Sequence, residues 1–228
     1  MRKRLHLGLV LALLAWGAIL HAGEVVDRIV ATVNGHIVVQ SDWDQALSYQ
    51  ALVDNRSVDQ FSLAERKATL NRLIDQELIR QQINASEFSP ASTEDIDKRI
   101  QEIRKQRPDG ASDDGWKAAL DRNHLTTADL RFHIANEINE MRALDAHFRP
   151  GLQIDPHSVE TYYQEKLLPE LRATGAKEIP LADVAPQIRE LLAQQKINDL
   201  LIAWLKTLRA ESNIRTPGDP TTGGGGAR

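Results

Sequence analysis

The sequence predicts a mostly helical domain in which a small β element joins the N-terminal and C-terminal ends of the chain. Between residues 62 and 210, apolar residues recur at the spacings of amphipathic helices. Two apolar, β-branched runs meet at Asn34-Gly35, a pair that favours a tight hairpin. Near the other end, Ile214 is flanked by polar residues, which suits a short edge strand.

The hairpin is predicted over about residues 25–40. A two-residue loop of type I′ requires positive φ at both of its positions, and Asn-Gly meets that requirement best. Ser41 then offers a side-chain oxygen to the first free amides of a helix, and Asp44 lies three residues further on. We therefore expect the hairpin to lead directly into a helix that is capped by Ser41.

The later helices have recognisable starts. Capping boxes, an N-cap threonine and an Asp-Pro pair mark four of these starts, which are Ser62, Ser92, Thr126 and Asp155. A shorter helix is predicted around Trp116, and a last, long helix from about Pro180 to Ala210. We expect their apolar faces to bury one shared core.

The strand predicted at about 212–216 needs a partner, and the hairpin is the obvious one. An isolated two-stranded hairpin is only marginally stable in water, so a third strand or a covering helix is required. We therefore expect Ile214 to close the chain on itself, in a single domain over residues 23–216.

The N-terminal segment has the pattern of a signal peptide. Arg2, Lys3 and Arg4 precede an apolar run at 5–20, which has the length of a signal-peptide core. We expect residues 1–22 to be removed on export, with a retained membrane anchor as the alternative. At the other end, the Gly-rich stretch at 217–228 is interpreted as a disordered tail, because no strand and helix flank it as a phosphate loop would require.

Charge and cysteine content narrow the classes of partner. Without residues 1–22 the chain retains 25 basic and 32 acidic residues, a net charge of −7. This balance gives no electrostatic reason to bind nucleic acid or an anionic membrane surface. The chain contains no cysteine, so a packed core must stabilise the exported protein without disulfides.

The sequence motifs predict no catalytic residue, metal site or cofactor. The sequence lacks G-x-S-x-G, H-E-x-x-H and G-x-G-x-x-G motifs. His133 and Glu137 are one helical turn apart, but two ligands fall short of the three or four that a zinc site needs. The polar stripe of an amphipathic helix is the simpler interpretation of this pair.

Large apolar side chains on the helices could form a groove for unfolded polypeptide. Adaptable methionine and aromatic surfaces suit promiscuous binding. The candidate peptide-binding residues are Trp116, Phe132, Met141 and Phe148, and Trp43 and Trp204 fit the same pattern. The spacing fits a packed core equally well, because both a groove and a core require one apolar helix face.

Three segments carry a family resemblance: "VVDRIVATVNGHIVVQSDWDQAL" (25–47), "LNRLIDQELIRQQ" (70–82) and "GWKAALDRNHLTTADLRFHIANEINEMRALD" (115–145). They resemble the N-terminal module of SurA-type periplasmic chaperones. The stretch "VAPQIRELLAQQKINDLLIAWLKTLRAESNIRT" (184–216) is similar to the helix and strand that close the same module.

The resemblance implies one departure from the family. In SurA-type proteins, parvulin-type prolyl isomerase domains are inserted before the final helix. Here only the twelve residues "PELRATGAKEIP" lie between Leu168 and Leu181, whereas a domain needs at least about 50 residues. We therefore expect the module without its isomerase insertion.

The resemblance implies an ATP-independent holding chaperone that binds unfolded envelope or outer-membrane protein chains in the periplasm. Two alternatives stay open: a prolyl isomerase with a divergent site, and a dedicated interaction subunit for one envelope protein. The sequence identifies neither the clients nor the oligomeric state.

Overall fold

The computed structural model describes residues 27–83 and 88–217. The predicted signal peptide at 1–22 and the Gly-rich segment from 218 onward lie outside these residues, so both stay predictions. The strands are β1 (Ile29–Val33), β2 (His36–Val39) and β3 (Ile214–Arg215). The helices are α1 (Gln40–Val53), α2 (Leu63–Gln82), α3 (Thr93–Lys105), α4 (Asp113–Arg122), α5 (Thr127–Phe148), α6 (Pro156–Tyr162), α7 (Leu168–Thr174) and α8 (Leu181–Glu211).

The three strands form one antiparallel sheet in the order β2-β1-β3. Asn34 and Gly35 have φ values of 52° and 89°, as a type I′ turn requires. Val33 on β1 lies opposite Ile214 on β3. The predicted fold, a mostly helical chain whose two ends meet in a small sheet, is therefore confirmed.

The start of α1 differs from the expectation. The helix begins at Gln40, and the backbone amide of Val39 donates to the Asp42 carboxylate at 3.3 Å. Ser41 instead donates its hydroxyl to Asp27, and this bond lowers the pKa of the Asp27 carboxyl. The prediction that Ser41 caps α1 is wrong, because Asp27, which precedes β1, lies close enough to accept from the Ser41 hydroxyl.

The other predicted caps are confirmed. Ser62 accepts from the amide of Glu65 at 3.3 Å, and the Glu65 carboxylate accepts from the Ser62 amide at 2.8 Å. The same reciprocal pattern occurs between Ser92 and Asp95 and between Thr126 and Asp129. The Asp155 side chain accepts from the amide of His157 at 3.2 Å at the start of α6.

The expectation of one shared core is wrong, because the buried apolar side chains separate into clusters. The helical cluster joins α1, α3, α4 and α5, and includes Leu52, Ile103, Trp116, Leu130 and Ile134. The sheet cluster joins the sheet, α2 and the end of α8, and consists of Val30, Ala31, Val33, Val38, Ile74, Leu78 and Leu208. The arm cluster joins α6, the π-helical turn at Tyr163–Leu167, α7 and the start of α8 through Val159, Tyr163, Leu168 and Ile188.

The length of α8 explains this division. Its 31 residues span about 46 Å, longer than a small core. Ile188 is buried in the arm cluster and Leu208 in the sheet cluster. At about 100° per residue these two side chains point to nearly opposite sides of the helix. The two ends of α8 therefore bury different faces. Within the described residues, no helix is both long and apolar enough to cross a membrane.

Candidate functional site

The structure places Trp116 in the helical cluster. Its exposed fraction is 9%, and it packs beside Ala119 and Leu120 of the same helix. The guanidinium carbon of Arg104 lies 5.6 Å from the Trp116 ring centroid. Trp116 therefore cannot contact another polypeptide unless the core repacks.

Phe132 and Met141 are both accessible, but they do not share a groove. Both lie on α5, with exposed fractions of 60% and 56%. They are nine residues apart, which at about 100° per residue places them on opposite sides of the helix. The predicted set of four residues is therefore distributed over a core position and two separate surfaces.

Phe148 lies at the junction of α5 and α8. Its ring meets that of Trp204 at a centroid distance of 5.5 Å, in an edge-to-face arrangement. The His147 ring stacks on Trp204 at 4.8 Å. Met141 precedes Phe148 by seven residues and lies on the same side of α5, two turns away. We call Met141, His147, Phe148 and Trp204 the α5–α8 surface.

Trp43 belongs to the packing of the domain. It is half-buried and packs against the sheet cluster and against a small cluster formed by Leu47, Ala51 and Phe61. Its indole Nε1 donates to the carbonyl oxygen of Arg66 at 3.0 Å. This bond fixes the ring against α2.

Arg149 adds an ionic contact beside the α5–α8 surface that sequence reasoning did not identify. Its guanidinium donates to Glu190 on α8 at 2.8 and 3.0 Å and to Asp145 on α5 at 2.7 and 2.8 Å. Hydrogen bonds to Asp145 and Glu190 raise the pKa of Arg149 further above its usual range. The spacing of Asp145 and Arg149, four residues apart, was a local signal for half of this contact.

A second accessible region lies between α1 and α5. The His133 ring stacks on Tyr49 at a centroid distance of 5.2 Å and an interplanar angle of 12°. Phe132 meets His133 edge to face at 5.9 Å. We call Tyr49, Phe132 and His133 the aromatic patch.

Hydrogen bonds and burial shift the pKa values of two residues of the aromatic patch, Tyr49 and His133. Tyr49 donates its hydroxyl to Glu137, which also accepts from Arg99 at 3.1 Å. Desolvation, followed by the bond to Glu137, raises the pKa of Tyr49 above its usual range. Desolvation lowers the pKa of His133, while the charges of Asp129 and Asp42 oppose that shift.

The contacts of Glu137 also bear on the metal hypothesis. Glu137 is engaged by Tyr49 and Arg99, and the His133 ring is stacked on Tyr49. Among residues 27–83 and 88–217, no group of three or more His, Asp or Glu side chains is arranged to hold a metal ion.

These features define a helical module whose distant ends are joined in a small sheet and whose α5 carries exposed apolar side chains. Residues 3–143 match the family model for the SurA-like N-terminal domain. This match covers more than half of the 228 residues, so the chain belongs to the SurA-like N-terminal domain family. No curated protein sequence matches the chain.

One solved structure comes from work on the virulence factor PEB4 and the periplasmic protein Cj1289, described as two structurally related SurA-like chaperones in Campylobacter jejuni. It covers 85% of this chain and 100% of its own, with 10% sequence identity and a TM-score of 0.46.

The match to the family model confirms the predicted family, and no parvulin domain is evident in the described residues. Within the described part of the chain, Leu168 to Leu181 contains only α7 and an exposed link to α8. The Gly175 backbone adopts a φ of 69° at the end of α7, where glycine avoids the strain of a left-handed conformation. The chain therefore passes directly from α7 to α8 at the point where the family inserts its isomerase domain.

Proposed function

We propose that this protein is an ATP-independent holding chaperone that binds unfolded chains of envelope proteins in the periplasm. Membership of the SurA-like family supports a periplasmic chaperone-type role. The observation that carries the proposal is the exposure of large apolar side chains on α5, since Phe132 and Met141 project from a helix that also buries Leu130, Ile134, Ile138, Ala143 and Leu144.

The α5–α8 surface is the proposed contact for clients. Methionine is unbranched and polarisable, so it adapts to apolar side chains of different shape. Phe148 and Trp204 are half-buried and pack against each other, and Phe148 lies two turns from Met141 on the same side of α5. Reversible burial of client segments on this surface would lower the concentration of free unfolded chain, and with it the rate of aggregation.

The first test measures suppression of aggregation for several unrelated unfolded envelope proteins. We expect the protein to delay aggregation of all of them without nucleotide. Met141→Ser removes a half-exposed apolar side chain that supports no core, and should weaken client affinity by about fivefold, equivalent to ~1 kcal/mol of lost apolar burial. Unchanged protection by Met141→Ser would exclude the α5–α8 surface.

Ile37→Thr is the matched control. Ile37 has an exposed fraction of 60%, similar to that of Met141, but it lies on β2, away from α5. Threonine keeps the β-branched shape that a strand prefers. We expect Ile37→Thr to protect clients as well as the unaltered protein does. An equal loss in both variants would show that exposed apolar area in general, and not this surface, determines binding.

The same preparations distinguish the two alternatives. A rate of cis/trans exchange at X-Pro bonds that rises in proportion to protein concentration would indicate an isomerase, since the uncatalysed reaction takes tens to hundreds of seconds. Tight binding to one envelope protein, without protection of the others, would indicate a dedicated interaction subunit. Either result would overturn the holding function.

Periplasmic location has its own test. The basic residues Arg2, Lys3 and Arg4 and the apolar run after them support export with cleavage near Ala22 or Gly23. Mass spectrometry of protein recovered from the cell envelope should find a new N-terminus at about Gly23 or Glu24. Full-length protein in the membrane fraction alone would favour a retained anchor.

A further inference from the structure

Two carboxylates, those of Asp42 and Asp129, lie on the helices that form the aromatic patch. Asp129 lies three residues before Phe132 and four before His133, so it is adjacent to both side chains on the surface of α5. Asp42 lies on α1 seven residues before Tyr49, and so on the same side of that helix, two turns away. Among the described residues, neither carboxylate forms an ion pair with lysine or arginine.

The hydrogen bonds of these carboxylates are short-range caps that leave their charge in place. Asp42 accepts from the amide of Val39 at 3.3 Å, and Asp129 accepts from the amide of Thr126 at 2.9 Å. The nearby arginines are engaged elsewhere: Arg131 pairs with Asp97, and Arg99 pairs with Glu137. The patch therefore combines an accessible aromatic ring with uncompensated negative charge.

Elsewhere in the chain, an aromatic ring and two carboxylates surround a guanidinium group. The guanidinium carbon of Arg56 lies 3.7 Å from the centroid of the Phe61 ring. The Arg56 guanidinium also pairs with Asp54 at 3.1 Å and with Glu65 at 2.8 Å. One aromatic ring and two carboxylates thus hold one guanidinium, through cation–π attraction and ion pairing.

We propose that the aromatic patch, with Asp42 and Asp129, is a subsite for an arginine or lysine side chain within an extended apolar segment of a client. This assignment rests on the proposed holding function and adds a substrate preference to it. Phe132 would take the cation on its ring face and the two carboxylates would neutralise its charge. Client segments in which a basic residue interrupts an apolar run would then bind better than purely apolar segments.

The test uses short labelled peptides that share one apolar sequence and differ at one central position, which is Arg, Lys, Gln or Glu. Binding is measured by fluorescence anisotropy with the protein recovered from the cell envelope, at low and at physiological salt. We expect the Arg and Lys peptides to bind about 3–10-fold more tightly than the Gln peptide, given the typical strength of exposed cation–π contacts and ion pairs. The difference should shrink as salt is added, because screening weakens exposed charge pairs.

Substitutions assign the preference to the patch. Asp42→Asn and Asp129→Asn keep a capping oxygen but remove the charge, so each should lower the ratio of Arg to Gln affinity and leave the Gln peptide unchanged. Phe132→Leu keeps apolar area without an aromatic ring and should also lower the ratio. Asp44→Asn is the matched control, because Asp44 lies on the same helix, two residues and about 200° away from Asp42.

Peptide binding and client protection are measured together, so that failure of this proposal can be told apart from failure of the holding function. Equal binding of Arg and Gln peptides with client protection intact would overturn the subsite alone. A loss of preference in Asp44→Asn as large as in Asp42→Asn would also overturn it, by showing a general effect of net charge. Absence of peptide binding with client protection intact would overturn the subsite alone, whereas absence of both would overturn both proposals. A change of sedimentation coefficient in Asp42→Asn would assign the patch to contact with a second copy of the chain and overturn the client subsite.

Discussion

The backbone amide of Asn213 donates to the side-chain Oδ1 of Asn34 at 2.8 Å, across 179 residues of sequence. The Asn34 amide returns a bond to the carbonyl oxygen of Asn213 at 2.9 Å. Asn34 also donates from its side-chain Nδ2 to Gln81 at 2.8 Å and to Ser212 at 3.1 Å. Asn34 therefore forms the turn of the hairpin and also ties it to α2 and to the C-terminal end.

Truncation tests the joining of the two ends. A cut after Ala210 removes the last residue of α8, the Asn213 contact and β3. We expect a loss of about 3 kcal/mol, from partial burial of Ile214 and from hydrogen bonds worth about 1 kcal/mol each. Urea unfolding measures the change. Truncation after Thr216 keeps β3 and should leave stability unchanged; equal stability of the two truncations would contradict the role of β3.

Asn34→Ala separates the two roles of this asparagine. Alanine tolerates positive φ poorly and forms none of the side-chain bonds, so we expect a loss of about 2 kcal/mol in urea unfolding. Asn55→Ala is the matched control, since Asn55 has the same φ of 52° but lies just after the end of α1 and not in the hairpin. We expect the control to lose about 1 kcal/mol. Equal losses would indicate that backbone conformation alone accounts for the effect.

His133 should make stability depend on pH. Desolvation lowers its pKa, so the folded protein binds fewer protons than the unfolded chain below about pH 6.5. The contribution of the neutral ring is present above that pH and is lost as the pH falls toward the folded pKa. The free energy of unfolding should therefore decline from pH 7 to pH 5, and decline less in His133→Gln. His157→Gln, at an exposed position on α6, should keep the original slope.

Glu140 should change the pH dependence of stability in the direction opposite to that of His133. Burial raises the pKa of its carboxyl, with further contributions from Glu137 and Asp75, although Gln76 donates to it at 2.9 Å. The folded state then favours the protonated form, so the ionised carboxylate opposes folding at neutral pH and this cost disappears as the pH falls. Glu140→Gln should stabilise the protein at pH 7 and have little effect at pH 4. Glu160→Gln, at an exposed position on α6, should stabilise at neither pH.

Arg149 and Glu190 provide a test of the contact between α5 and α8. A double-mutant cycle with Arg149→Gln and Glu190→Gln should give a coupling of about 0.5–1 kcal/mol at low salt, and less in 1 M salt. The control is the exposed pair of Arg172 on α7 and Glu178 in the link before α8, whose charged atoms are 2.7 Å apart. We expect a coupling near zero there, because it is an isolated surface pair. Equal coupling in both cycles would show that Arg149 and Glu190 stabilise the protein no more than an isolated surface pair does.

Local chemistry explains why so much of the fold could be predicted. Asn34-Gly35 specifies its turn because few other pairs adopt positive φ twice in succession. The caps at Ser62, Ser92 and Thr126 depend on groups only three residues apart, so the sequence contains both partners of each bond. Ser41 failed as a cap because its partner, Asp27, lies beyond the hairpin, on the other side of two strands.

The candidate site could be predicted only in part, because an apolar residue on a helix does not reveal what covers it. Trp116 and Met141 have similar sequence signals, yet Trp116 is buried beneath neighbouring helices and Met141 is exposed. The pairing of Phe148 with Trp204 and the stacking of His133 on Tyr49 join helices that are distant in sequence. No local pattern reports such contacts.

The sequence by itself determined the helix starts at Ser62, Ser92, Thr126 and Asp155, the hairpin turn and the strand that closes the chain, because each depends on spacing, backbone preference or a partner within a few residues. Tertiary structure decided which apolar side chains stay accessible and how the core divides. The physical reason is visible in α8, whose ends bury opposite faces because Ile188 packs against α6 and α7 while Leu208 packs against the sheet and α2. Burial depends on which elements meet in space, and the periodicity of one helix contains no information about its neighbours.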